Sequence, residues 1–328
     1  MMADRQPLSI LDLATISGDD ETEALQATVA LAQQAEATGH RRVWYAEHHN
    51  LPTIASSATA VLIAHVAAHT SSIKLGSGGI MLPNHAPLVI AEQFGTLARL
   101  HPGRIELGLG RAPGTDQNTV RALRRDPRDA EHFPDDVLEL QGFLAGESRI
   151  PGVRAIPGAG TNVPLYILGS SLFGASLAAH LGLPYAFASH FAPAALHDAV
   201  ETYRREFEPS TQLEAPRVIA AANVIAADRE FDAQQQFEHV SRRRVGFFVA
   251  GRRDLGDDEL DRIVASSQGQ QVLAMMKHSA IGTPDQVRTF LDDFAHDADA
   301  DELIVVHASP TPEQRLRSVE LTASAWHE

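Results

Sequence analysis

KLGSGGIMLPNHAPLVIAEQFGTLARLHPGRIELGLGRAPGTD, residues 74–116, holds a complete strand–helix–strand unit. Residues 73–77 (IKLGS) and 105–109 (IELGL) are short apolar runs, and the stretch between them, 87–100, reads as a helix opened by a proline in its first turn. Apolar strands separated by a helix belong in a parallel sheet covered on both faces.

The same rhythm continues in both directions. Strands are predicted over 8–14 (LSILDLA), 42–46 (RVWYA), 165–168 (LYIL), 185–188 (YAFA), 218–226 and 303–307 (LIVVH), and helices over 21–38, 57–69, 171–181, 194–207 and 312–325. Eight strands alternating with helices predict an α/β fold, a single (β/α)8 TIM barrel spanning residues 1–328. A doubly wound open sheet is the alternative, because strand periodicity cannot show closure. Two segments exceed the repeat, 110–164 after strand four and 228–284 after strand seven. They carry additional predicted helices near 129–145, 257–264 and 268–277. Both follow the C-terminal end of a strand, the active-site face of such a barrel, and 228–284 is expected to act as a lid.

Composition narrows the chemistry. Among 328 residues, 27 Lys and Arg stand against 42 Asp and Glu, a formal charge of −15, and there is no cysteine. So acidic a chain is not expected to bind nucleic acid or an anionic membrane through a broad basic surface. Disulfides, cysteine-ligated zinc, iron–sulfur clusters and thiolate nucleophiles are excluded. No apolar run approaches a membrane span and no secretory signal is visible, so a cytoplasmic protein acting on a small molecule is expected.

Polar residues cluster after the predicted strands. Glu47, His48 and His49 follow strand two, and His48 is a candidate general base because imidazole titrates near neutrality. Adjacent histidines lack the spacing to converge on a metal, so no metal site is expected. Asp12 near the end of strand one, and Ser189 and His190 after strand six, complete the predicted polar mouth. Ser77, Gly78 and Gly79 close strand three; paired glycines permit close approach of a flat ligand or simply a tight turn. In 108–114 (GLGRAPG) the spacing departs from a dinucleotide fingerprint and Pro113 would interrupt the helix start. Arg111 there is a fixed positive charge suited to an anion. Ser170 and Ser171, with Gly174 in the next helix's first turn, offer hydroxyls and free N–H groups at a positive helix end.

The blocks AEHHNLP (46–52), residues 74–116, LGSS (168–171), GLPYAFASHFAP (182–193) and GTPDQV (282–287) resemble the bacterial luciferase-like flavin monooxygenases, closest to stand-alone bacterial members. The resemblance implies a single barrel binding reduced FMN at its C-terminal face, with O2 as co-substrate, a C4a-hydroperoxyflavin and oxidation of a small organic substrate. It implies a cis peptide at Gly78–Gly79 against the flavin ring. Arg111, Ser170, Ser171 and Gly174 match the flavin-phosphate site, and His48 matches the catalytic histidine. Ser189 falls where luciferase has a bulky flavin-contacting residue, and Gly110 where it has a reactive cysteine. No second fingerprint for NAD(P)H is visible, so a separate flavin reductase is expected to supply reduced FMN. A homodimer through helices on one barrel flank is also implied. Two alternatives keep the barrel: an F420-dependent hydride-transfer oxidoreductase, and a non-catalytic flavin-binding protein.

Overall fold

The computed structural model describes residues 5–327 apart from 19, 113, 252 and 254. Pro113, read above as a helix interruption, lies outside the described residues. Parallel strands β1 (Leu8–Asp12), β2 (Arg42–Tyr45), β3 (Lys74–Met81), β4 (Ile105–Gly110), β5 (Leu165–Gly169) and β6 (Tyr185–Phe187) pair in sequence order. β7 (Val218–Ala226) pairs with β6, and β9 (Glu302–His307) joins β7 to β1, closing eight staves. The closed barrel is the predicted TIM fold, and the open sheet is set aside.

The ninth strand, β8 (Ser279–Gly282), was not expected. β6 has only three residues, so its pairing with β7 ends at Ala220; further along, Asn223–Ala226 of β7 pairs with β8 instead. β8 thus covers an edge that a short neighbour leaves open.

Helices α1 (Glu21–Ala37), α2 (Thr59–Ala67), α3 (Pro87–Leu100), α6 (Leu172–His180), α7 (Leu196–Glu206), α11 (Pro284–Asp297) and α12 (Pro312–His327) follow their strands. Between β4 and β5 lie α4 (Gln117–Ala122) and α5 (Phe133–Ala145); the helix expected from residue 129 begins as a 3-10 turn, and Pro134 sits in the first turn of α5. Between β7 and β8 run α8 (Glu230–Ala250), α9 (Asp257–Ala265) and α10 (Ser267–Ala274). α8 lays Phe237 and Val240 against Ile225, Ile281 and Ala308. None of the described helices is long and apolar enough to cross a membrane.

Strand alternation divides the core. Outward-facing residues such as Ile10, Val43, Tyr45 and Leu107 pack under the helices. Inside the barrel lie Leu11, Trp44, Tyr166, Ile219 and Ile304 among others. Towards the N-terminal end the interior is ionic. Arg42 donates to Glu106 at 2.6 Å, to the Tyr166 hydroxyl at 2.8 Å and to Glu302 at 3.1 Å, while the Trp44 indole N–H donates to Glu106 at 3.0 Å. Ser9 and Arg217 complete the shell of Glu302 at 2.6 and 2.8 Å. The sequence makes room for these side chains by omission. A Cβ on Gly76 would stand 2.9 Å from the Trp44 indole nitrogen, and one on Gly108 would stand 2.3 Å from the Ser77 carbonyl oxygen.

Removing one member of a buried ionic group strands the others without solvent or partner. Arg42→Met is therefore expected to destabilise the protein by about 3–5 kcal/mol, seen as a lower urea midpoint by circular dichroism. A midpoint equal to that of the parent protein would show that the two carboxylates need no counter-charge.

Candidate active site

At the C-terminal end of β2 the alternation that turns Trp44 and Ala46 inward carries on to His48, while Glu47 turns outward. Glu47 is buried and ringed by donors: His49 Nε2 at 2.9 Å, His85 Nε2 at 2.9 Å, Asn84 Nδ2 at 3.3 Å and the Met81 N–H at 3.0 Å. Burial alone would raise its pKa, but the bonds from His49, His85 and Met81 outweigh it and hold the carboxyl at about 2. Glu47 is thus a permanent carboxylate that fastens the β2 and β3 ends together.

His48 is pinned through its backbone, its N–H donating to the Ser56 carbonyl at 3.0 Å, while its buried Nδ1 has no partner. Burial lowers its pKa, against the charge of Glu47, so the ring is neutral near neutral pH. His190 has a second unpartnered buried Nδ1, and burial, with the charges of Arg244 and His48, lowers its pKa to about 3. The His190 carbonyl accepts from Asn223 Nδ2 at 2.8 Å, so β7 fixes the loop after β6. Arg244 of α8 and His48 thus both act electrostatically on His190.

Asp12 stands elsewhere. It alternates with the inward Leu11 and sits opposite Tyr45, accepting from the Ala14 N–H at 2.9 Å. Burial raises its pKa, partly offset by the Ala14 bond and the Arg315 charge. Ser77 and Ser189 are fully buried and their hydroxyls are engaged: Ser77 donates to the Gly108 carbonyl at 2.8 Å, Ser189 to the Ala221 carbonyl at 2.6 Å. Both tie strands together. Between them the Gly78–Gly79 peptide is cis, at a register shift where β3 gains a residue on β4. A Cβ on Gly78 would lie 2.7 Å from Leu11 Cδ1, and one on Gly79 would lie 2.9 Å from the Gly108 carbonyl oxygen.

A candidate anion site draws on the ends of β4 and β5 and the start of α6. Arg111, one residue past β4, is exposed, with its guanidinium 4.1 Å from the centre of the Phe173 ring. Phe173 is in the first turn of α6, whose extended N-cap residue Ser171 makes no side-chain cap bond. Tyr185 donates to the Ser171 carbonyl at 3.1 Å, and its ring lies 3.4 Å from where a Gly174 Cβ would stand. Among the described residues the hydroxyls of Ser170 and Ser171 have no intramolecular partner, and Arg111 has no carboxylate. A cation beside the first turn of α6, and two hydroxyls just before it, are groups of the kind that bind an anion.

The family model for luciferase-like monooxygenase matches residues 7–302. The chain belongs to the luciferase-like monooxygenase family. It is 45% identical over 327 residues, 98% of this chain and 97% of the other, to the luciferase-like monooxygenase of Escherichia coli K12. It is 36% identical over 244 residues, 71% of this chain and 73% of the other, to the N-acetyl-S-alkylcysteine monooxygenase of Bacillus subtilis 168. The crystal structure of apo-MsnO8 superposes with a TM-score of 0.87 at 32% identity, covering 98% and 99% of the two chains. This family member is therefore a flavin-dependent oxidoreductase by kinship, on a barrel that carries FMN in one solved structure and F420 in another.

Sequence reading missed four contributors. Asn223 and Arg244 come from a strand and a helix where nothing marked them, Arg244 being the last of three arginines before an apolar run at 245–250. His85 and Asn84 were quoted only as part of a block, and their role as partners of Glu47 depends on the turn after β3.

Buried neutral imidazoles make stability depend on pH. His190 and His307 are lowered to about 3, and His40 to about 4, burial being the first cause in each. Below the ordinary value of about 6.5 the unfolded chain binds protons that the folded one refuses. Stability present above that pH is lost as pH falls towards these depressed values, at up to about 1.4 kcal/mol per pH unit per group. Unfolding free energies from urea titrations should decline from about pH 6.5, before the carboxylates titrate. A flat profile down to about pH 5 would mean these rings are not buried neutral.

Proposed function

We propose that the protein is an FMN-dependent monooxygenase that uses reduced FMN and O2 to oxidise a small organic molecule. The observation that carries this reading is the phosphate cradle of Arg111, Ser170, Ser171 and the α6 N-terminus, in the same barrel mouth as the glycine floor of β3 and β4. In FMN a phosphate and a flat ring are joined by a ribityl chain. The cradle suits one end, and positions where any side chain would collide suit the other. Bound reduced FMN supplies the electrons that activate O2.

The chain's own part is to bind, orient and shield. Arg111 pairs the phosphate, Gly78 and Gly79 admit the ring, and Glu47 holds the strand ends that carry His48. Neutral His48 accepts a proton at its free Nδ1. Residues 228–284, with α8 across the strand ends, keep water out during turnover. A separate reductase supplies the reduced flavin. Two copies pair through α2 and α3, where Val61 is 70% exposed and Leu100 67% exposed.

An anaerobic titration of the apoprotein with reduced FMN, and separately with reduced F420, followed by admission of O2, tests the reading. Tight binding of FMN and slower reoxidation than in free solution are expected. Binding of F420 alone would establish hydride transfer instead, and immediate peroxide release from bound FMN would establish mere flavin storage. Arg111→Ala should weaken FMN binding about 10- to 100-fold, because a charge-assisted contact of roughly 1.5–3 kcal/mol is lost. His48→Ala should leave FMN affinity within about twofold while slowing turnover about 100-fold or more. Equal effects of the two changes on FMN affinity would undo this division of roles.

A further inference from the structure

Arg111 stands one residue past β4 with its guanidinium carbon over the Phe173 ring, 4.1 Å from the ring centre. The other arginine–ring pairs among the described residues are wider, at 5.2–5.7 Å. At 4.1 Å the cation rests directly on the face of the ring, where the negative side of the ring quadrupole attracts it. Neither residue is placed there by core packing. Phe173 is 40% exposed, although its helix buries Gly174, Ala175, Ala178 and Ala179. Arg111 makes no hydrogen bond or ion pair among the described residues, whereas the exposed Arg128, Arg229 and Arg317 each pair with a carboxylate.

In a chain with 42 acidic residues, a cation laid on a ring rather than on a carboxylate is chemically distinct. Stacking occupies the flat face of a guanidinium and leaves free its N–H donors, which lie in its plane. A carboxylate would have engaged those same donors and neutralised the charge. The ring also restricts a long side chain before any ligand arrives, so less rotamer freedom is lost on binding. The backbone under the ring is itself held, because Tyr185 donates to the Ser171 carbonyl at the start of α6 at 3.1 Å.

Resting on the FMN reading, we propose that Phe173 is a positioning residue: its ring holds Arg111 ready for the flavin phosphate, and through Arg111 it sets the preference for FMN over riboflavin. The ring acts on the ligand only by way of the guanidinium, so its effect exists only where both the cation and the phosphate are present.

The test is a double-mutant cycle on the whole protein prepared without flavin. Binding is read by fluorescence titration with FMN and with riboflavin, and by calorimetry with inorganic phosphate. Phe173→Leu should weaken FMN binding about three- to tenfold and leave riboflavin binding unchanged. Phe173→Tyr, which keeps the ring face, should retain the parent's FMN affinity. In an Arg111→Ala background, Phe173→Leu should have no further effect, since the cation it positions is gone. Because the ring is exposed, Phe173→Leu should leave the melting temperature unchanged. Parent FMN affinity in Phe173→Leu, equal losses for FMN and riboflavin, or an undiminished effect in the Arg111→Ala background would each overturn the proposal. So would a Tyr variant as weak as the Leu variant, or a lowered melting temperature in Phe173→Leu. Failure of FMN to bind the parent protein would overturn the cofactor reading instead, and the cycle read with inorganic phosphate would then decide the role of Phe173. Phosphate binding that weakens with Phe173→Leu only when Arg111 is present upholds that role; any other pattern, no binding included, overturns it.

Discussion

An indole and a guanidinium share the interior of a barrel that has no room for both unless β3 and β4 give up their side chains. Trp44 and Arg42 enter from β2, Arg42 bridges Glu106 and Glu302, and the indole N–H reaches the same Glu106 carboxylate. Gly76, Gly78 and Gly108 are the other half of that arrangement, since a Cβ at any of them would meet Trp44, Leu11, Leu168 or neighbouring backbone below 3 Å. The glycines that look like a ligand floor from above are packing requirements from below. One set of omissions serves both ends of the barrel, so the mouth inherits its shape from how the interior is filled.

This double duty explains what was legible in the sequence. Continuous apolar strands announce burial on both faces, and seven of the eight staves end within two residues of their expected bounds; β3 runs four residues beyond, to Met81, because the glycines carry it through its register shift. β8 escaped because SAIG has neither length nor a β-branched run; it is a strand only because β6 is too short to cover β7. α8 escaped because its basic and aromatic residues interleave without a clean apolar stripe. For the site, local chemistry was readable and orientation was not. Arg111 stands over a ring in the first turn of the helix that Ser170 and Ser171 precede. Asp12 and Glu47 share the strand ends with His48 but turn outward, a distinction that depends on register within a few residues. Apart from His49, the partners that fix Glu47 arrive from a turn more than 30 residues later, which no local pattern encodes.

The two ends of the barrel differ in how completely they satisfy their polar groups. Near the N-terminal end, Arg42, Glu106, Glu302, Ser9 and Arg217 are mutually bonded. At the C-terminal end, His48 Nδ1, His190 Nδ1 and Arg244 Nε are buried and unbonded, and the Ser170 and Ser171 hydroxyls are free. A buried polar group without a partner costs about 1–3 kcal/mol, which a fold selected for stability alone would remove. Unpaired atoms also occur between strands and helices, as at His40 and His307, whose rings meet edge to face at 6.5 Å. Those two are closed in by α1 and α12 and face no opening. The atoms at the mouth differ in their company: Arg244 and His48 both act electrostatically on His190, and Arg111 stands over a ring in the first turn of the helix that Ser170 and Ser171 precede. Groups left unsatisfied together, beside an opening, are complementary to something that arrives from outside, and their chemistry specifies it in part: acceptors for protons and donors for oxyanions.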